Sequence, residues 1–172
     1  MVQKSNEIGK IIVGIDPDIK ASGVALLDED ARIIKLYKMP IYSLFNWCRW
    51  IAETTHDKQV RYIVELDRQT TYNWHVNPRD NCRVAKQKGF WQGSNHQLAI
   101  DIVDLLRESD LDVTEQAPLR KCWTGKDRKI THQELRSIEG ITWNKAVENQ
   151  EERDAALLAL AHSKIVIKFS RR

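Results

Sequence analysis

Residues Lys10–Asp16 (KIIVGID) constrain the fold more than any other stretch. The run is apolar at both odd and even positions, stops on an acid, and is followed at once by Pro17. A short run of this kind reads as a strand covered on both faces, which places it inside a sheet flanked by helices. The proline then ends it in a turn. Gly23–Leu27 and Ile33–Tyr37 are two more short runs, and Asp28–Arg32 (DEDAR) between them reads as a hairpin loop. The chain therefore opens with a three-stranded antiparallel meander.

Tyr42–Thr55 has helical spacing, with apolar residues at 44, 45, 47, 48 and 51. Val60–Leu66 is a fourth strand. Asp67–Asp80 (DRQTTYNWHVNPRD) is polar and aromatic and reads as a long loop, of a length that is usually functional or disordered. Asn81–Glu108 is helical, Asp112–Gln116 a fifth strand, and Ala117–Lys129 (APLRKCWTGKDRK) a basic loop. Thr131–Ile138 is a short helix. Glu151–Lys168 is a closing helix that begins apolar nearly all round (AALLALA) and must be buried. The expected class is α/β, with a five-stranded mixed sheet flanked by helices: three antiparallel strands, then parallel ones. That order is the RNase H-like order. At 172 residues the chain suits one domain, 1–172.

Two strands end on acids: Asp16 after IIVGI and Glu65 after RYIV. Each has an ordinary explanation. Asp16 could serve the Asp-Pro-Asp turn, and Glu65 could pair with Arg61 or Arg68. Glu151 and Asp154 stand three apart, on one face of the closing helix. There Asn149 and Glu152 form a capping-box pattern, and acids suit a first turn. Jointly, three distant elements each present an acid at an end. Carboxylates brought together raise one another's pKa, and divalent cations relieve that repulsion. Mg²⁺ takes oxygen ligands. Two such ions roughly 4 Å apart clamp the attacking and leaving oxygens of a phosphodiester, so no nucleophilic side chain is required.

The formal charge of +3 and the six tryptophans are compatible with nucleic acid without requiring it. Cys48, Cys82 and Cys122 are odd in number and lack CxxC spacing, against a disulfide framework or a zinc site. No apolar run would span a bilayer, and MVQKSNEIGK has no signal core, so the expected compartment is the cytoplasm.

The acidic motifs resemble a known family. Val13–Gly23 (VGIDPDIKASG) is similar to the opening of RuvC-type Holliday junction resolvases, usually G-I-D-P-G with a later glycine. Val64–Glu65 matches their second acidic motif. Gly89–Gly93 (GFWQG) resembles the G-x-x-x-G of their long helix, and Glu151–His162 (EERDAALLALAH) their closing D-x-x-D-A-x-x-x-A. The resemblance runs from about Ile11 to Ile165. It implies an RNase H-like homodimer that nicks four-way DNA junctions symmetrically with Mg²⁺, for which Mn²⁺ can substitute. It places metal-binding catalytic acids at Asp16, Glu65, Glu151 and Asp154, and a catalytic lysine at Lys121. The second cation falls on Lys126, Lys129 or His132; Lys129 is assigned to catalysis and Lys126 to nucleic-acid contact. Arg68, Tyr72, Trp74, Arg79 and Arg83 are the other expected contacts, with phosphates or stacked bases.

The chain departs from the pattern at Asp18 for a glycine, Ile19 for a small residue, and Glu151 for an aspartate. The loop after Glu65 is also long, with Tyr72, Trp74 and His75 well along it. Nothing in the sequence points to a helicase partner. Three other readings stay open: a nuclease of this fold acting on other branched DNA or structured RNA, an inactive nucleic-acid-binding module, and an actin-like kinase or ATPase. The four retained acids oppose the second. The third needs two such domains.

Overall fold

The computed structural model describes residues 9–69, 77–146 and 148–169. Six strands form one mixed sheet: β1 (Gly9–Asp16), β2 (Ser22–Asp28), β3 (Ile33–Met39), β4 (Lys58–Glu65), β5 (Val113–Gln116) and β6 (Thr142–Trp143), in the order β5-β4-β1-β2-β3-β6. β1, β2 and β3 pair antiparallel, whereas β4 joins β1 and β5 joins β4 in parallel. This is the RNase H-like arrangement, with β1 at its centre.

The sixth strand was not expected. It is two residues long, too short to leave an alternation in the sequence, and pairs in parallel with Ile33 and Ile34 of β3. Asn144 prolongs it with a side chain: its Oδ1 accepts from the Leu36 N–H at 2.9 Å, as a strand carbonyl would.

Among the described residues four α-helices cover the sheet: α1 (Ile41–Thr54), α2 (Cys82–Glu108), α3 (His132–Arg136) and α4 (Gln150–Ala161). Strand periodicity sorts the cores. Ile11, Val13 and Ile15 of β1, with Tyr62 and Val64 of β4, face α1 and α2. Ile12 and Ile63 face the other way, onto α3 and α4. Burying each such aliphatic side chain stabilises the fold by roughly 1.5–3 kcal/mol, so the sheet is held from both sides. Continuing the alternation, Asp16 and Glu65 fall on the α4 face.

α4 lies closer to the sheet than ordinary side chains permit. A Cβ on Gly14 would stand 2.1 Å from the Ala155 carbonyl oxygen, and one on Gly23 would stand 2.1 Å from that of Glu151. The glycines are therefore the seats of the helix, and Ala155 and Ala159 are its matching small residues, both fully buried. α4 is shorter than its sequence suggested, stopping at Ala161 with His162 as cap rather than running to Lys168. Ser163 turns the chain by donating its hydroxyl to the Leu160 carbonyl at 2.8 Å. Ile165 then enters the core, and Phe169 bridges Ile138.

α2 is buried through its C-terminal half alone, at Ala99, Ile102, Val103 and Leu106. Its N-terminal half, capped by Asn81, exposes Phe90 (65%) and Trp91 (42%). Among the described residues no helix is long and apolar enough to cross a membrane.

Candidate metal centre and nucleic-acid interface

The register of three strands assembles the site. Asp16 is opposite Gly23 in β2, while the parallel pairing of β1 and β4 runs through Ile15–Val64 and so sets Asp16 beside Glu65. Because Gly23 lies against the Glu151 backbone, the first turn of α4 stands over the same place. Asp16, Glu65, Glu151 and Asp154 all line one cavity of about 800 Å³.

The ordinary explanations of the two strand-end acids do not hold here. The turn after Asp16 is made by Asp18, whose Oδ1 accepts from the Lys20 N–H at 2.9 Å. Arg61 pairs with Asp112, and Arg68 with Glu115 and Asp104, leaving neither on Glu65. Burial is the main force raising the Asp16 carboxyl well above its ordinary pKa; the Glu65, Asp154 and Glu151 charges add to it, against Lys129. Burial also raises Glu65, helped by Asp154 and opposed by Lys129 and Lys121. The site thus holds acids that resist ionising together.

Cations answer them unequally. Lys129 Nζ donates to Asp154 Oδ2 at 2.7 Å. Burial works against its charge, but Asp154, Asp16 and Glu65 prevail and raise its pKa. A tight turn aims it: Gly125 N–H donates to the Lys129 carbonyl at 3.1 Å, and a Cβ on Gly125 would stand 2.4 Å from that oxygen. Asp127 and Arg128 take up left-handed backbone there, with φ of 56° and 58°. Lys121 lines the cavity as an exposed side chain. His132 instead bonds the buried Glu148 at 2.6 Å. Lys126 is exposed on the turn and does not line the cavity. Of the three alternatives, Lys129 is the cation the fold brings to the acids. Glu151 has its own counter-ion, Lys38, at 3.5 Å.

The expected contacts scatter more widely. Arg68 is spent in its two ion pairs, and Arg79 and Arg83 are exposed outside the cavity walls. Tyr72 and Trp74, with His75, lie outside the described residues. In their place the cavity takes Gln92, Asn95 and His96 from α2 and Arg120 from the basic loop. The α2 residues carried a readable signal, since 92, 95, 96 and 99 follow helical spacing into the buried stripe. Asn95 also ties α2 to the turn beyond Asp16, accepting from the Ile19 N–H at 3.0 Å.

No protein-family model matches the chain, and no curated protein matches it in sequence. Solved structures similar in form include two of RuvC. T. thermophilus RuvC in complex with a Holliday junction substrate is 17% identical, with 89% of this chain and 92% of that one covered and a TM-score of 0.44. A second Thermus thermophilus RuvC structure is 16% identical over 88% and 92%, with a TM-score of 0.39. At that level of superposition the fold stands on its strand order and register, and the site on its own residues.

Four carboxylates offer only oxygen donors, the chemistry of Mg²⁺ or Mn²⁺ sites. Among the described residues no three carboxylate, thiol or imidazole side chains form a group that could hold a metal ion as they stand. Lys129 pairs with Asp154 and Lys38 with Glu151. The donor set fits a hard divalent ion, and each of these carboxylates keeps acceptor positions that its lysine does not fill.

Proposed function

We propose that this chain is a divalent-metal-dependent endonuclease that cuts branched DNA, with the four-way junction as its substrate. The observation that carries the reading is the meeting of Asp16, Glu65, Glu151 and Asp154 in one cavity, where burial makes the first two reluctant to ionise. These acids would hold Mg²⁺ or Mn²⁺, which when bound supplies Lewis-acid activation for phosphodiester hydrolysis. Lys129 and Lys121 would stabilise charge developing on the phosphate, and Arg120 and His96 add to the polar wall of the cavity. The junction as substrate, and two symmetric nicks by a homodimer, come from the likeness of VGIDPDIKASG and EERDAALLALAH to the resolvase motifs. The exposed Phe90 and Trp91 on the N-terminal half of α2 favour a dimer. Gly93 beside them has nothing within 4 Å of its would-be Cβ, so the fold of the single chain does not require a glycine there.

One observation favours a second reading, a binding module without catalysis: Asp154 is engaged by Lys129 rather than open. A labelled four-way junction incubated with Mg²⁺, beside linear duplex, separates the two. Cleavage of the junction that is lost in Asp16→Asn, with binding retained, is the expected result. Full activity in Asp16→Asn refutes the metal-nuclease reading, and binding without any cleavage by the unmutated chain establishes the second.

A further inference from the structure

Asp154 is gripped on both oxygens by neighbouring side chains. Lys129 holds Oδ2, and the Gln150 amide donates its Nε2 to Oδ1 at 2.8 Å from one turn earlier on α4. Behind Gln150 stands Arg153. Its guanidinium donates three times: to Gln150 Oε1 at 2.9 Å, to the Glu148 carbonyl at 2.9 Å, and to the Ile130 carbonyl at 3.1 Å. Ile130 directly follows Lys129. The contacts therefore close into a ring, from the main chain beside Lys129 through Arg153, Gln150 and Asp154 back to the Lys129 ammonium.

The ring has a direction. A guanidinium can only donate, so Arg153 draws the carbonyl end of the Gln150 amide toward itself and turns the NH₂ end to Asp154. With the amide reversed, its oxygen would face a carboxylate oxygen and both contacts would be lost. A carboxylate has about four acceptor positions; the amide takes one and fixes the plane of the group. Being neutral, it does so without cancelling the charge, as a second lysine would. Arg153 meanwhile pins the segment that carries Lys129 to the helix that carries Asp154.

We infer that Gln150 and Arg153 are positioning residues that orient Asp154, and Lys129 with it, for a cation and a phosphate. The purpose rests on the nuclease reading; the ring itself does not. A merely structural role, holding the first turn of α4, would change melting temperature alone.

The test uses the full chain as Gln150→Met, which keeps size and helix propensity, and as Arg153→Lys, which keeps charge but cannot span three acceptors with a planar fork. Mn²⁺ binding without DNA is followed by electron paramagnetic resonance of the free ion, beside melting temperature and metal-free junction affinity. The expected result is Mn²⁺ binding weakened about 10–100-fold, the range for residues that orient metal ligands, with junction affinity unchanged. Unchanged Mn²⁺ binding in folded Gln150→Met overturns the inference, and that variant decides alone should Arg153→Lys fail to fold. An unmutated chain that binds no Mn²⁺ overturns the metal-nuclease reading instead. The ring is then judged by the Gln150 side-chain amide in NMR: loss of its order in Arg153→Lys supports it, and an equally ordered amide overturns it.

Discussion

Gly23→Ala separates the geometry of the site from the stability of the fold. The new Cβ would stand 2.1 Å from the Glu151 carbonyl oxygen and 2.7 Å from the Glu152 nitrogen, where ordinary contact begins at 3.4 Å. These are backbone atoms that no rotamer change can move. The first turn of α4 must recede by about 1.3 Å, taking Glu151 and Asp154 away from Asp16 and Glu65. Overpacking of this kind costs about 1–3 kcal/mol. For a chain of this size each kcal/mol lowers the melting temperature by about 2–4 °C, so the variant should remain folded at 25 °C. A misplacement of about 1 Å can cost on the order of 10²-fold in rate, and that loss should appear in single-turnover junction cleavage per folded molecule. Gly93→Ala meets nothing within 4 Å in the single chain and sits inside a helix, so by contrast it should stabilise the monomer fold by roughly 0.5–1 kcal/mol. A Gly23→Ala protein that melts lower yet cleaves at the normal rate would refute the claim that this glycine seats the acids of α4.

Three further outcomes follow. Because burial raises the Asp16 carboxyl above its ordinary 3.8, the folded chain resists losing that proton, and stability is full below the ordinary value and falls as pH rises through the raised one. Without divalent ions Asp16→Asn should therefore melt higher than the unmutated chain at pH 8, with the advantage gone near pH 3; an equal melting temperature at pH 8 counts against the buried, repelled carboxylate. Glu148, whose side chain is fully buried between His132 and Arg136 at 2.6 Å each, should on conversion to Gln lose about 3–5 kcal/mol, the usual cost of breaking a buried ion pair, measurable by urea denaturation. Sedimentation should give a dimer at micromolar concentration that Phe90→Ser with Trp91→Ser converts to monomer; a monomeric unmutated chain with normal junction cleavage rejects the dimer.

What the sequence determined is what neighbouring residues decide among themselves. Two-faced apolar runs made β1 and β4 central strands, and each visibly ended on its acid. The capping box of Asn149 and Glu152 is present as its spacing implied, and the apolar start of α4 announced a buried helix. The tertiary structure decided what depends on distant partners. Strand register set Asp16 between Gly23 and Glu65, and contact with a helix more than a hundred residues away made Gly14 and Gly23 seats rather than turn residues. It chose Lys129 over His132 and Lys126, since only the Gly125 turn shows which cation folds back. It removed Arg68, an exposed arginine in the sequence, by supplying Glu115 and Asp104 across the chain. It also ended α4 at Ala161 and added β6, because Ile165 gains more by entering the core than by continuing a helix, and two residues can pair with β3 without any period of their own. Periodicity and capping are local energies and are written in order along the chain. Which carboxylate meets which ammonium is settled by long-range packing, which no stretch of sequence contains by itself.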